Sequence, residues 1–229
     1  MNSIRLPSPA ALLIALLGAC AAHVSAQTYS IGTTGDSQSW DVYGQSFMPS
    51  AAGAEFPAAP ASAQQVSLHS VSFAQFNTGL PPASVYILEE SLLTGSADLQ
   101  ETIAAVLANP SLYILGESEA ASVAPGLLDG DFPGDYHTLT YDFTGGITLD
   151  SDTRYVTLFS DGLGRIRVVG AGPLGAYASG SIYDTTGFDL SFDASFIATF
   201  SVIPEPATYV LLMSAVVVVA ATLRRRRNA

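Results

Sequence analysis

From Ala207 to Leu223 the chain carries no charged side chain, and Arg224 to Arg227 follow without a break. No other stretch limits the fold so strictly. The run contains Leu211-Leu212-Met213 and Val216 to Val219, and its most polar members are Thr208, Tyr209, Ser214 and Thr222. Its 17 residues stand at the short end of what crosses a hydrocarbon core of about 30 Å. A helix satisfies its own backbone polar groups, as lipid demands. The sequence therefore predicts a transmembrane helix over 207–223. Arg224, Arg225, Arg226 and Arg227 resist translocation, which puts this end on the cytoplasmic side. A plain single-pass anchor would satisfy every one of these observations.

Pro204, Glu205 and Pro206 stand directly before the run. Two prolines hold the backbone extended and outside the helix, so this motif would stay accessible at the membrane face. Pro-Glu-Pro, a short span and a basic end, in that order at the C-terminus, resemble the PEP-CTERM sorting signal of Gram-negative bacteria. The same signal is also known as the C-terminal domain of ice-binding proteins, a name that says nothing about binding ice. The resemblance implies that an exosortase, a membrane enzyme with a catalytic cysteine, recognises Pro204, Glu205 and Pro206. Processing there would remove the span and release the protein or attach it at the surface, often alongside exopolysaccharide. This concerns the address of the protein and leaves open what the rest does.

The N-terminus predicts a secretory signal peptide. Arg5 gives a weakly positive start and Ala10 to Leu17 an apolar stretch too short for a span. Two cleavage sites compete. Val24-Ser25-Ala26 offers small residues where a signal peptidase reads, which would start the mature chain at Gln27. Leu17-Gly18-Ala19-Cys20 resembles a bacterial lipobox, in which Cys20 would be lipidated. The first is preferred, because a chain with a C-terminal anchor has little use for another. The expected organisation is a signal peptide over 1–26, an exported domain over 27–203 and a sorting signal over 204–229. The precursor would be a single-pass inner-membrane protein, and the mature form would sit at the cell surface or in the extracellular matrix. Cys20 is the only cysteine, so the exported domain holds no disulfide even though export permits them.

That domain spans 177 residues, an ordinary size for one domain. It sets nineteen carboxylates against Arg154, Arg165 and Arg167, a formal net charge of −16, with no lysine anywhere. Such a surface repels nucleic acid and anionic lipid, so neither is expected as a partner of the domain. Solubility explains the charge plainly; attraction of divalent cations is the sharper alternative.

Along the chain the pattern is mostly that of strands. Gln27 to Gly44 is rich in Ser, Thr and Gly, and the first strand is expected at Gln45-Ser46-Phe47, ended by Pro49. Val66-Ser67-Leu68 and Val71-Ser72-Phe73 alternate out of phase across His69-Ser70; a bulge there would return both to one face. Val85 to Leu88 reads as an inner strand. Ser96 to Ala108 breaks the pattern with Leu99, Ile103, Val106 and Leu107 at helical spacing, and Asp98 with Glu101 suggests a capping box. Asn109-Pro110 would stop this helix, with a strand at Leu112 to Leu115 and a long loop over Gly116 to Asp135. His137 to Phe143, Tyr155 to Phe159, Arg165 to Val169 and Ser195 to Val202 read as strands, with a turn at Gly145-Gly146. The fold class is mainly β, a single antiparallel β-sandwich with a short helical insert.

The same order is similar to a jelly-roll module of bacterial secreted proteins, related in shape to galactose-binding-like and carbohydrate-binding domains. The residues that carry this are Gln45-Ser46-Phe47, Leu68 with Val71-Ser72-Phe73, Val85-Tyr86-Ile87, Ile147-Thr148-Leu149 with Thr153-Arg154-Tyr155, and Phe192 to Phe196. The helical insert at Ser96 to Ala108 departs from it. These are framework positions, and a fold alone does not license a function.

Catalytic chemistry is hard to find. Gly35-Asp36-Ser37 resembles the start of one lipase-type motif, but Gln38 stands where that family has leucine, and no matching His-bearing block follows. His69 and His137 are the only histidines of the domain, and a lone strand histidine is usually structural. No G-x-S-x-G, H-E-x-x-H or C-x-x-C occurs. The chain is therefore read as a non-enzyme without a cofactor: a structural or glycan-interaction protein of the surface or matrix, processed by signal peptidase and exosortase. The alternative is a secreted hydrolase acting on matrix polymer. Asp129, Asp131, Asp150 and Asp152 put carboxylates on loops, as calcium prefers, but Asp-x-Asp in a turn is ordinary turn chemistry, so no metal site is assigned. Glycan contact needs exposed aromatic rings beside polar groups, and Trp40, Tyr177 and Tyr183 are the candidates, because they lie in glycine-rich segments outside the clean strands; core packing or ordinary loop anchoring is the competing reading for each.

Overall fold

A computed structural model describes residues 27–34, 38–51, 63–76, 84–94, 96, 98–125, 136–170, 177, 179–184, 187–189, 192–203 and 224. The chain divides into Thr28–Val202 and a second unit, Met1–Gln27 with Ile203–Ala229. The signal peptide, Cys20, Pro204, Glu205, Pro206, the run 207–223 and Arg225 to Arg227 lie outside the described residues. Among the described residues no helix is long and apolar enough to cross a membrane.

Thr28–Val202 is mainly β, and its strands pair antiparallel. The elements are β1 (Thr28–Thr33), β2 (Gln38–Phe47), β3 (Gln65–Phe76), β4 (Val85–Glu89), α1 (Leu99–Ala108), α2 (Pro110–Tyr113), β5 (Gly116–Glu117), β6 (Ser122–Pro125), β7 (Tyr136–Asp150), β8 (Tyr155–Phe159), β9 (Gly164–Gly170), β10 (Ile182–Asp184), β11 (Gly187–Asp189), β12 (Phe192–Ala194) and β13 (Phe196–Val202). The main path runs β1-β13-β3-β9-β2-β8-β4-β5, with β7 on β3 and β6 on β7.

The bulge on β3 is present. Opposite β13 the ladder steps from Ser70↔Thr199 to Leu68↔Phe200, leaving His69 as the extra residue. Val66, Leu68, Val71 and Phe73 consequently share one buried face. The expected turn at Gly145-Gly146 is a bulge within one strand, and β7 continues on both sides of it. Leu68 pairs with Ile147 and Ser70 with Asp142, so Phe143 to Gly146 stand opposite His69 alone. Both flanks of the glycines find partners on the same long strand, and this outweighs the local turn preference. Gly145 (φ 81°) and Gly146 (φ 74°) absorb the excess chain, and a Cβ on Gly146 would lie 2.1 Å from Ser67 Oγ.

Three further expectations change. Gln27 to Gly44 holds β1 and most of β2, because Tyr29 and Ile31 point inward between Thr28 and Ser30. Leu112 to Leu115 is not a strand: Pro110, at the first helical position of α2, restarts a helical turn. Gly116 to Asp135 is not all loop, since β5 and β6 occupy part of it; 126–135 lies outside the described residues. The predicted cap holds, with Glu101 N donating to Asp98 Oδ1 at 2.9 Å.

Phe73 lies at the centre of the core. Its ring centroid is 5.5 Å from that of Phe159, 6.2 Å from Phe196 and 6.3 Å from Tyr141. Phe159 belongs to β8, which shares no ladder with β3, so the buried faces of separate strand groups meet at these rings. A second cluster joins Ile103 and Val106 of α1 to Leu88, Val156, Leu158 and Tyr183. Truncating the central ring should leave a void the neighbours cannot close. Phe73→Ala is expected to cost about 3–5 kcal/mol, read as a lowered urea midpoint at unchanged slope.

Candidate functional site

Of the three aromatic residues that are candidates for glycan contact, Tyr177 and Tyr183 pack in the core and Trp40 is half-buried. Trp40 lies within β2, half-buried, with its ring 5.5 Å from that of Phe192. Tyr177 is 1 % exposed; its hydroxyl donates to Met48 O at 2.7 Å and accepts from Met48 N at 3.1 Å. Tyr183 is 2 % exposed, and its hydroxyl donates to Glu90 Oε1 at 3.0 Å. Burial pushes the phenols of Tyr177 and Tyr183 well above their ordinary range. The glycine-broken sequence around them reflects close packing, not exposure. A Cβ on Gly180 would lie 2.4 Å from Ser46 O, so the glycine lets this turn lie against β2.

Beside Tyr177 is a buried polar knot. Gln45 Nε2 donates to Asp193 Oδ1 (2.9 Å) and to Ser46 O (2.8 Å), while Gln45 Oε1 accepts from Ala194 N (2.7 Å). Asp193 Oδ2 accepts from Tyr177 N at 2.8 Å. Together these bonds tie β12 and the Tyr177 segment to β2. Burial pushes the Asp193 carboxyl up to about 6 against the opposing pull of the Gln45 and Tyr177 hydrogen bonds.

The other candidates do not converge. His69 Nε2 lies 2.7 Å from Ser201 Oγ, which ties the β3 bulge to β13, while His137 pairs with Gln75 across β3 and β7. Asp150 accepts from Gln65 Nε2 at 3.2 Å and Asp152 is exposed in the following turn; Asp129 and Asp131 lie outside the described residues. Among the described residues no three His, Cys, Asp or Glu side chains group closely enough to hold a metal ion.

A concave feature lies elsewhere, along α1, with a volume of about 400 Å³. Val106 and Thr102 line its α1 side, Leu92 and Tyr113 contribute apolar groups, and Asp98 and Glu101 contribute carboxylates. Thr102 Oγ1 donates to Asp98 O at 2.9 Å, and one Asp98 oxygen is occupied by the helix cap. The Glu101 side chain is exposed. Tyr113 is 36 % exposed and Leu112, beside it on α2, 74 %. Leu92 and Tyr113 thus bring exposed apolar surface to the groove, and Leu112 and Leu115 lie near Tyr113 in the chain. Reading residues 112–115 as a strand concealed this exposure; Pro110 after Asn109 was the signal that could have revealed it.

The buried carboxylate makes stability depend on pH. Its folded value lies above the ordinary carboxylate value of 3.8, so the native state holds the proton more tightly than the unfolded chain. The contribution is most favourable below about pH 4 and is lost as pH rises through about 6, by about 3 kcal/mol in all. Urea unfolding from pH 4 to pH 7 should show this fall, and Asp193→Asn should flatten it.

Neither a protein-family model, a curated protein nor a solved structure matches this chain.

Proposed function

We propose that this is an exported protein of the cell surface or extracellular matrix, sorted through its C-terminus and engaging glycan. The observation that carries the reading is the succession of Pro204-Glu205-Pro206, the uncharged run 207–223 and Arg224 to Arg227. Signal peptidase removes residues 1–26. The run holds the precursor in the inner membrane with its arginines in the cytoplasm, and an exosortase then acts at Pro-Glu-Pro. The exported domain is a jelly-roll-like β-sandwich. Ring contacts such as Phe73 to Phe159, between strands that share no ladder, support two packed faces.

The glycan part of the reading is supported by the groove along α1. A concave site that mixes an exposed aromatic ring, a carboxylate and hydroxyls suits a polyhydroxylated ligand. The domain's acidity favours neutral polymer over acidic polymer. Intact-mass and C-terminal peptide analysis of the mature surface protein tests the sorting. The chain should end near Pro206. A mature pool that retains Ala229 would leave only a single-pass anchor.

A further inference from the structure

The α1 groove has a definable ligand class: we propose that it receives a non-acidic sugar ring, stacked on Tyr113 and hydrogen-bonded by Glu101. The inference rests on the glycan reading above and names the site and the chemistry it selects.

Size argues first. A volume of about 400 Å³ falls within the range of small-ligand pockets, about 300–1,000 Å³. A stable protein partner instead covers roughly 800 Å² on each side. The shape therefore suits a ring better than a second protein surface.

Side-chain chemistry argues next. Tyr113 presents an exposed ring while Tyr177 and Tyr183 are core, so Tyr113 can offer a flat apolar platform to the C–H face of a pyranose. Leu92, opposite in the chain and also exposed, extends the apolar lining. Asp98 is committed to capping α1, whereas the exposed Glu101 carboxylate has two oxygens with which to accept a pair of sugar hydroxyls.

Charge then narrows the sugar. A helix N-terminus by itself favours anions. Here Asp98 and Glu101 reverse that preference, and among the described residues no lysine, arginine or histidine lines the groove. A uronic acid or a phosphate would meet these carboxylates as like charge. A protonated amino sugar would gain from them. Charge therefore admits neutral and amino sugars and rejects acidic ones.

The test uses the full-length protein in detergent micelles on an array of neutral, uronic-acid and amino-sugar oligosaccharides. Neutral and amino-sugar oligosaccharides should be captured and uronic-acid ones should not. Tyr113→Ala should lower capture at least tenfold, and Tyr113→Phe, which keeps the ring, should restore most of it. Glu101→Gln should weaken neutral capture severalfold and narrow the discrimination against uronic acids; circular dichroism checks that each variant is folded. Capture unaffected by both Tyr113→Ala and Glu101→Gln would overturn the groove while leaving glycan binding in place. A preference for uronic-acid ligands would overturn the charge argument. No capture of any glycan would overturn both the groove and the glycan reading, whereas sorting is judged separately by the mature C-terminus. A dimer that Tyr113→Ala dissolves would assign the patch to a second copy and also overturn the proposal.

Discussion

The ring cluster around Phe73 is what the domain depends on. With Cys20 as the only cysteine, no intrachain disulfide restrains the fold, and apolar burial must offset the conformational entropy of folding. The cluster can form because two strands bend. β3 bulges at His69, which keeps Val66, Leu68, Val71 and Phe73 on one face. β8 and β9 follow one another along the same strand, β2, pairing Phe47↔Tyr155 through Gly44↔Leu158 and then Val42↔Gly164 through Gln38↔Val168. Phe159, the last residue of β8, pairs with Val85 of β4, and its ring meets Phe73. Bulges here serve as corners, a usual way for strands to wrap a core.

Buried charge plays a secondary, positioning role. Glu90 is almost fully buried and is held by Arg154 Nη1 at 3.5 Å and by the Tyr183 hydroxyl. Its backbone N donates to Arg154 O at 3.0 Å. Desolvating a carboxylate is costly, and such pairs are weak evidence for stability. What this one does is fix the start of the turn Glu90–Leu92 against β8, and that turn supplies Leu92 to the groove. The Gln45–Asp193 knot does the same for β12 and the Tyr177 segment. Core packing and groove geometry are therefore joined through polar contacts that the chain's apolar pattern does not encode.

Local rules read well wherever tertiary pairing agreed with them. The β3 bulge, the Asp98 cap, the inner strand at Val85–Leu88 and the alternation of β13 were all legible, because each follows from period or capping chemistry. They failed where neighbours decided. Gly145-Gly146 has turn composition, but β3 offers partners to both sides of it. β1 is masked by Ser, Thr and Gly around its inward Tyr29 and Ile31. The candidate site was less legible than the fold. Glycine near an aromatic residue can mean exposure or close packing, and Tyr177 shows the second. Tyr113 went unnoticed because its exposure depends on where α2 stops, which the apolar sequence Leu112 to Leu115 does not announce.

Among the described residues, Tyr177 and Tyr183 build the core, while Tyr113 lines the α1 groove. Hydroxyl-radical footprinting of the folded full-length protein, read residue by residue by mass spectrometry, tests this division most directly. Tyr113 should be modified quickly, while Tyr177 and Tyr183 should stay protected until the protein is unfolded. Rapid modification of Tyr177 or Tyr183 in the native protein, with Tyr113 protected, would contradict it.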